Sequence, residues 1–265
     1  MTQAGWKNMV PAKYPIGAQV AQQYGSSTVS ASFVARYLKF PLPTAGALTG
    51  LNRKESAQIL KSGLSIVSAF QGGARSMSHF TPASGKDDVN LAVRRGIILR
   101  QPIGSVIYFA VDLDCTLTSD RDKIGEYFSA IKTRMDGPLE GIYRVGAYAG
   151  AFVLETLFQE GFIDYCWQAG AYGWKSNREL FADADIVQFD PGTGNYLEID
   201  GIPFDYNTAG IQESRTVDPH STFGQWSREL VYDNLEADQQ GKLNRAWKEA
   251  GGSGSPREPV DDFQD

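Results

Sequence analysis

Two cysteines, two histidines and no long apolar run mark what this chain of 265 residues does without. Cys115 and Cys166 imply no disulfide framework, and the expectation is two buried thiols. Neither His79 nor His220 stands near a cysteine cluster, so no metal site and no cofactor are expected. Neither has a nucleophile motif beside it, and a G-x-S-x-G elbow is missing, which removes the usual serine-hydrolase signature. No G-x-G-x-x-G follows the first predicted strand, and G-x-x-x-x-G-K-[ST] occurs nowhere. Positive charge is short as well: 25 Lys and Arg, scattered, against 31 Asp and Glu give a net charge of -6. A nucleic-acid partner would want a basic face, so none is expected. No segment has the apolar length of a membrane span. The opening MTQAGWKNMVPAKYP lacks the apolar core of a signal peptide, so the protein is expected to be cytoplasmic as made.

What is present is ample core material, with 42% hydrophobic and 12% aromatic residues. Short apolar runs alternate with amphipathic stretches as far as residue 206. Strands are predicted over 16–20, 35–40, 64–70, 105–111, 144–148, 165–169 and 186–189, with a weaker one over 202–206. Helix starts are predicted from Asn52 with Glu55, Ser119 with Asp122 and Ser176 with Glu179, and a further helix over 88–99. Ile124, Tyr127, Phe128 and Ile131 give the helix after Ser119 a core-facing stripe. Eight strands alternating with helices is the count of a (β/α)₈ TIM-type barrel, so an α/β single domain is expected over 15–210, after an N-terminal arm over 1–14. Residues 211–250 read as an extension with a charged helix over 229–250, and 251–265, GGSGSPREPVDDFQD, as a flexible acidic tail suited to tethering or delivery.

The chemistry concentrates in SVIYFAVDLD, residues 105–114. It reads as a strand buried on both faces and ending in two carboxylates one residue apart. Alternation along a strand would send Asp112 and Asp114 to one side, at the C-terminal end where parallel α/β folds place their active sites. Asp205, in PFDYN, would sit at the end of the last strand. Carboxylates flanking a cleft suit glycosidic bond cleavage: one protonates the leaving oxygen, another activates water or stabilises the cation. Tyr108, Tyr148 and Trp167 lie in or at the ends of the same strands; each reads first as core and alternatively as a platform for sugar rings, and Gln188 reads as a contact to sugar hydroxyls or as a partner for barrel polar groups. Gln168 reads either as a sugar contact or as a partner for the barrel's own polar groups. The acid pairs Asp87–Asp88 and Asp183/Asp185 read as solvated helix-start and loop charges. Asp-Leu-Asp alternatively suits Mg²⁺ or Ca²⁺, although a barrel phosphodiesterase would usually want histidines beside it.

The succession ARYL, LKSGLSIVSAFQ, IYFAVDLD, YRVGAYAG, YCWQAGAY and ADIVQF followed by GIPFDYN resembles the glycoside-hydrolase-like barrel family related to glycoside hydrolase family 25 lysozymes. The likeness covers roughly residues 15–210. It implies a lysozyme-like barrel and a polysaccharide cleft, with peptidoglycan as the reference substrate. It implies Asp114 as general acid, where the lysozymes carry Glu, with Asp112 and Asp205 assisting. At the end of the first strand, where the lysozymes carry Asp, Gln19 stands here, and Gln neither takes a proton as a base nor carries charge. The expectation is therefore a glycosidase acting on cell-wall polysaccharide, with a catalytically silent carbohydrate-binding or structural module as the alternative. A cell-wall enzyme made without a signal peptide would reach the wall by a non-classical route or on a phage or secretion particle.

Overall fold

The computed structural model describes residues 33–38, 50–171, 173–189, 197–199, 202–204, 206–209 and 223–259. Strands β1 (Phe33–Tyr37), β2 (Ser65–Phe70), β3 (Val106–Ala110), β4 (Arg144–Ala149), β5 (Tyr165–Gln168) and β6 (Ile186–Phe189) pair in parallel, in that order, as a curled half-barrel. Helices α1 (Arg53–Lys61), α2 (Pro82–Ile98), α3 (Thr118–Asp136) and α4 (Ala151–Gln159) fill the first four crossovers. Between β5 and β6 the described chain carries only a 3₁₀ turn, Lys175–Asn177.

A complete eight-stranded barrel is not what the described residues form. The predicted strand over 16–20 lies outside them, and the predicted eighth strand divides. β8 (Ile202–Phe204) pairs with β7 (Leu197–Ile199) in a hairpin, and β9 (Tyr206–Ala209) closes the sheet edge antiparallel to β6. Parallel pairing requires a crossover that carries the chain back along the sheet, usually as a helix. Between β6 and β9 the chain makes a hairpin instead, so it returns the short way.

The sheet is apolar on both faces, which explains the unbroken apolar runs in its strands. On the inner face, Tyr108 meets Trp167 edge-on at 5.7 Å and Trp167 meets Tyr148 at 5.1 Å. On the outer face, Phe70 packs on Phe109, and Phe109 on Phe128 of α3. Ile124, Tyr127, Phe128 and Ile131 are all buried, as their spacing predicts.

Helix starts follow their caps. Asn52 accepts the Glu55 N–H and opens α1 as predicted. α2 begins at Pro82, with Thr81 as its cap, ahead of the predicted residue 88. Proline fits the first helical turn, where its missing N–H costs nothing. Gly85 lies inside α2 because a Cβ there would sit 2.5 Å from the Tyr127 carbonyl of α3. α3 starts at Thr118 without a side-chain cap, and Ser176 opens no α-helix. The C-terminal helix α5 spans Ala237–Glu249, capped by Glu236 and Gln239, so Leu230 and Leu235 precede it.

The base of the half-barrel, at the N-terminal strand ends, is sealed by the segment that follows residue 222. Val106 N–H donates to Gly224 O, Trp226 exchanges backbone hydrogen bonds with Ile66, and Tyr108 OH donates to Phe223 O at 2.7 Å. Trp226 Nε1 donates to Ser68 Oγ, which donates to Gln101. Beyond α5, the segment expected as a tether is held against the fold as far as Arg257. Trp247 Nε1 donates to Ser253 O, Arg94 to Gly251 O and Arg100 to Arg257 O, Arg257 pairs with Asp233, and Pro256 is buried. Its polar composition suggested a free tail, but each of these bonds runs to a fixed element.

Candidate active site

The mouth of the half-barrel is formed where the strands end. Past Ala110 the chain continues extended: Val111 N–H donates to Tyr148 O, and Asp112 N–H donates to Ala74 O. Asp112 follows two residues beyond Ala110, whose partner in the sheet is Tyr148. Its side chain is only 8% exposed and receives Arg75 Nε at 2.7 Å, while the Arg75 side chain is 47% exposed.

Arg75 is delivered by Gln71-Gly72-Gly73-Ala74, the turn after β2, which is seated against α2 and the 3₁₀ turn Met77–His79. A Cβ on Gly72 would lie 2.5 Å from Asp88 Oδ2, and one on Gly73 would lie 2.7 Å from His79 Nδ1. Only glycine admits so close an approach. Beneath them, Asp88 Oδ2 is hydrogen-bonded to His79 Nε2 at 2.8 Å and to Tyr127 OH at 2.7 Å. Asp88 is thus a buried anchor rather than the solvated helix-start charge its position in the sequence suggested. Burial, reinforced by the neighbouring Asp88 charge, holds the Tyr127 hydroxyl protonated far above the ordinary tyrosine range. Asp185, read as a solvated loop charge, is likewise buried and accepts the Cys166 N–H at 2.7 Å.

Asp114 has turned away from its neighbour. Strand geometry ends at Ala110, so the two-residue alternation no longer fixes where Asp114 points. Its carboxylate reaches across the mouth to the 3₁₀ turn after β5. Oδ2 accepts Lys175 N–H, and Oδ1 accepts Ser176 N–H and Ser176 Oγ, at 3.0, 3.0 and 2.7 Å. Partial desolvation raises its pKa, but the Ser176 and Lys175 hydrogen bonds and the Lys175 charge outweigh it and leave the carboxyl below the usual value. Hydrogen bonds to the charged form favour that form, so Asp114 is held ionised. The same turn is pinned from inside by Asn177, which accepts from Ala151 N–H and Gln168 Nε2 and donates to Ala169 O. Gln168 therefore serves the fold. Cys115, next in the chain, is buried, and its thiol is pushed up to about 11, chiefly by desolvation.

The predicted sugar contacts form one chain of side chains below this rim. Tyr148 OH donates to Gln188 Oε1 at 2.7 Å, which also accepts Gly170 N–H. Trp167 lies against Tyr148, is fully buried and donates Nε1 to Asn207 Oδ1. Tyr108 reaches toward the base rather than the mouth, through its bond to Phe223. Asp205 and Gln19 lie outside the described residues. Sequence reasoning missed Arg75, His79 with Asp88, and the Lys175–Asn177 turn. The one usable signal was Gly-Gly followed closely by Arg at a strand end.

The family model of the Rv2525c-like, glycoside hydrolase-like domain matches residues 27–209. The chain belongs to that family. Two uncharacterized proteins of Bacillus subtilis (strain 168) are similar to this glycoside hydrolase-like domain. FadG is 31% identical over 132 residues, covering 48% of this chain and 22% of its own length. YbfG is 32% identical over 158 residues, covering 57% and 21%. The chain thus matches about a fifth of the length of either relative. Among solved structures, the Tat-secreted protein Rv2525c of Mycobacterium tuberculosis, in complex with HEPES, superposes with a TM-score of 0.61 at 19% identity, over 79% of this chain and 93% of that one. An uncharacterized B. stearothermophilus protein gives a TM-score of 0.50 at 16% identity, over 72% and 90%. At these identities the two structures show the fold.

Chemically, the described mouth of this glycoside hydrolase-like domain offers two carboxylates with separate partners. Asp112 is paired with a guanidinium, and Asp114 is hydrogen-bonded by a turn. The hydrogen bonds to Asp114 favour its ionised form.

Proposed function

We propose that the mouth of this domain engages cell-wall polysaccharide as a glycosidase-type site, with peptidoglycan-type glycan as the reference substrate. The observation that carries the reading is the placement of Asp112 and Asp114 at the C-terminal end of β3, in a chain that belongs to a glycoside hydrolase-like family. Carboxylates at that end of parallel strands are where sugar-cleaving barrels develop and stabilise an oxocarbenium-like charge. In this reading Asp112 faces the cleft, and the resemblance adds Asp205 as a further assisting carboxylate.

Hydrolysis also needs a carboxyl that holds a proton at the working pH. The resemblance gives that role to Asp114, whose three hydrogen bonds favour the opposite state. With Gln19 at the position of the lysozymes' first-strand Asp, this observation favours a second reading, in which the domain binds glycan without cutting it. One assay separates the two: incubation with purified peptidoglycan, scoring protein retained on the pellet and reducing ends released. Release by the wild type that falls at least about a hundredfold in Asp114→Asn supports cleavage with Asp114 as acid. Retention without release supports the binding module. Neither retention nor release sinks both.

A further inference from the structure

Arg75 is an exposed cation of the mouth, as is Lys175 in the turn that holds Asp114, and the surroundings of Arg75 fix it in place. Its Nε edge is committed to Asp112 at 2.7 Å, and its Nη atoms make no hydrogen bond among the described residues. The backbone behind it has little freedom. Ala74 O is bonded to Asp112 N–H, and Gly72 and Gly73 lie against Asp88 and His79 with no room for a Cβ. A guanidinium held by one edge, with its other edge open, is pre-organised to take a carboxylate or similar planar anion. Across the mouth, Asp114 is already occupied by the Lys175–Asn177 turn, and Tyr148 and Gln188 are bonded to each other. The overall charge of -6 would repel an acidic polymer, so a fixed cation at this point acts as a selector rather than as general attraction.

We infer that Arg75 is a specificity residue that reads an anionic group on the glycan, so that the site prefers carboxylate-bearing sugars over neutral ones. The inference rests on the glycan-site reading and adds to it the charge class of the ligand. Asp112 has a double part here: it orients the guanidinium through Nε and leaves the Nη edge for the ligand. An Arg-to-Lys change keeps the charge but loses the two-pronged edge.

The test is binding of the full chain, by calorimetry at low salt, to oligogalacturonate as the acidic probe and to a chito-oligosaccharide of equal length as the neutral one. Wild type is expected to prefer the acidic oligomer by about tenfold or more, the effect of one charge-assisted contact. Arg75→Gln should abolish that preference, the acidic affinity falling by at least about tenfold more than the neutral one, and Arg75→Lys should restore part of it. Gly73→Ala, which pushes the turn off His79, should weaken the acidic preference without touching Arg75 itself. Equal affinity of wild type for the two oligomers, or an undiminished preference in Arg75→Gln, overturns the inference and leaves the glycan site standing. Binding of neither oligomer overturns the glycan reading, and this inference with it.

Discussion

The two ends of the half-barrel are built from opposite materials. At the base, buried aromatic side chains are joined by neutral hydrogen bonds: Tyr108 to Phe223, and Trp226 to Ser68 and on to Gln101. At the mouth, charged groups are held by loops, Asp112 by Arg75 and Asp114 by the Lys175–Asn177 turn, above the buried Asp88 that His79 and Tyr127 anchor. Buried neutral networks and aromatic packing stabilise a fold at little electrostatic cost. Charged carboxylates at an open rim contribute little to stability. Their placement makes sense as preparation for a ligand, which is where parallel α/β folds keep their chemistry.

The comparison is broken most sharply at the base. Trp226→Ala should lower unfolding stability by about 3–5 kcal/mol in a denaturant titration, through the lost volume and the orphaned Ser68–Gln101 pair. A loss below about 1 kcal/mol would show that the base is not where the stability sits. Next in size is Asp88→Ala, which strands the Tyr127 hydroxyl and should cost about 1–3 kcal/mol while loosening the Gly72–Arg75 turn. Unchanged stability there would make the anchor dispensable.

Asp114→Ala should leave the unfolding midpoint almost unmoved yet speed amide exchange at Lys175 and Ser176, whose N–H groups it holds. The same amides give a pH prediction. A carboxyl whose folded pKa is depressed contributes fully above its unfolded value, near 3.8, and its contribution fades as pH falls through the lower folded value. Protection at Lys175 and Ser176, corrected for intrinsic exchange, should therefore persist at pH 5 and decline below the ordinary aspartate range. Asp114→Asn should show no such acid step. The smallest effect concerns Cys115: with its thiol near 11 and buried, alkylation at pH 8 should be slow until the protein unfolds. Rapid modification of the native protein would contradict that burial.

How much of this is legible in the sequence depends on the range of the interaction. The six parallel strands follow from local apolar patterning, and α1 from the Asn52–Glu55 cap, because both signals lie within a few residues. The direction of the last strand does not, since it is set by how the chain crosses from β6 to β9. Asp112 and Asp114 were visible as strand-end acids. Their separate partners were not, because Arg75 and Ser176 lie 37 and 62 residues away in the chain. Trp167 shows the limit on aromatics: its composition suits a sugar platform, while its position on the inner face makes it core. The docked tail is the same lesson, since its Gly, Ser and Pro content signals flexibility while Trp247, Arg94, Arg100 and Asp233 hold it down.

In the proposed division of labour, the mouth serves ligand and the base serves fold. A peptidoglycan co-sedimentation assay on folded wild type, Asp112→Asn and Trp226→Phe, run beside thermal melts, addresses it directly. Asp112→Asn should lose retention on the pellet while its melt stays within a few degrees of wild type, and Trp226→Phe should melt earlier with retention intact. Retention unchanged in Asp112→Asn, or lost equally in Trp226→Phe below its melt, would contradict it.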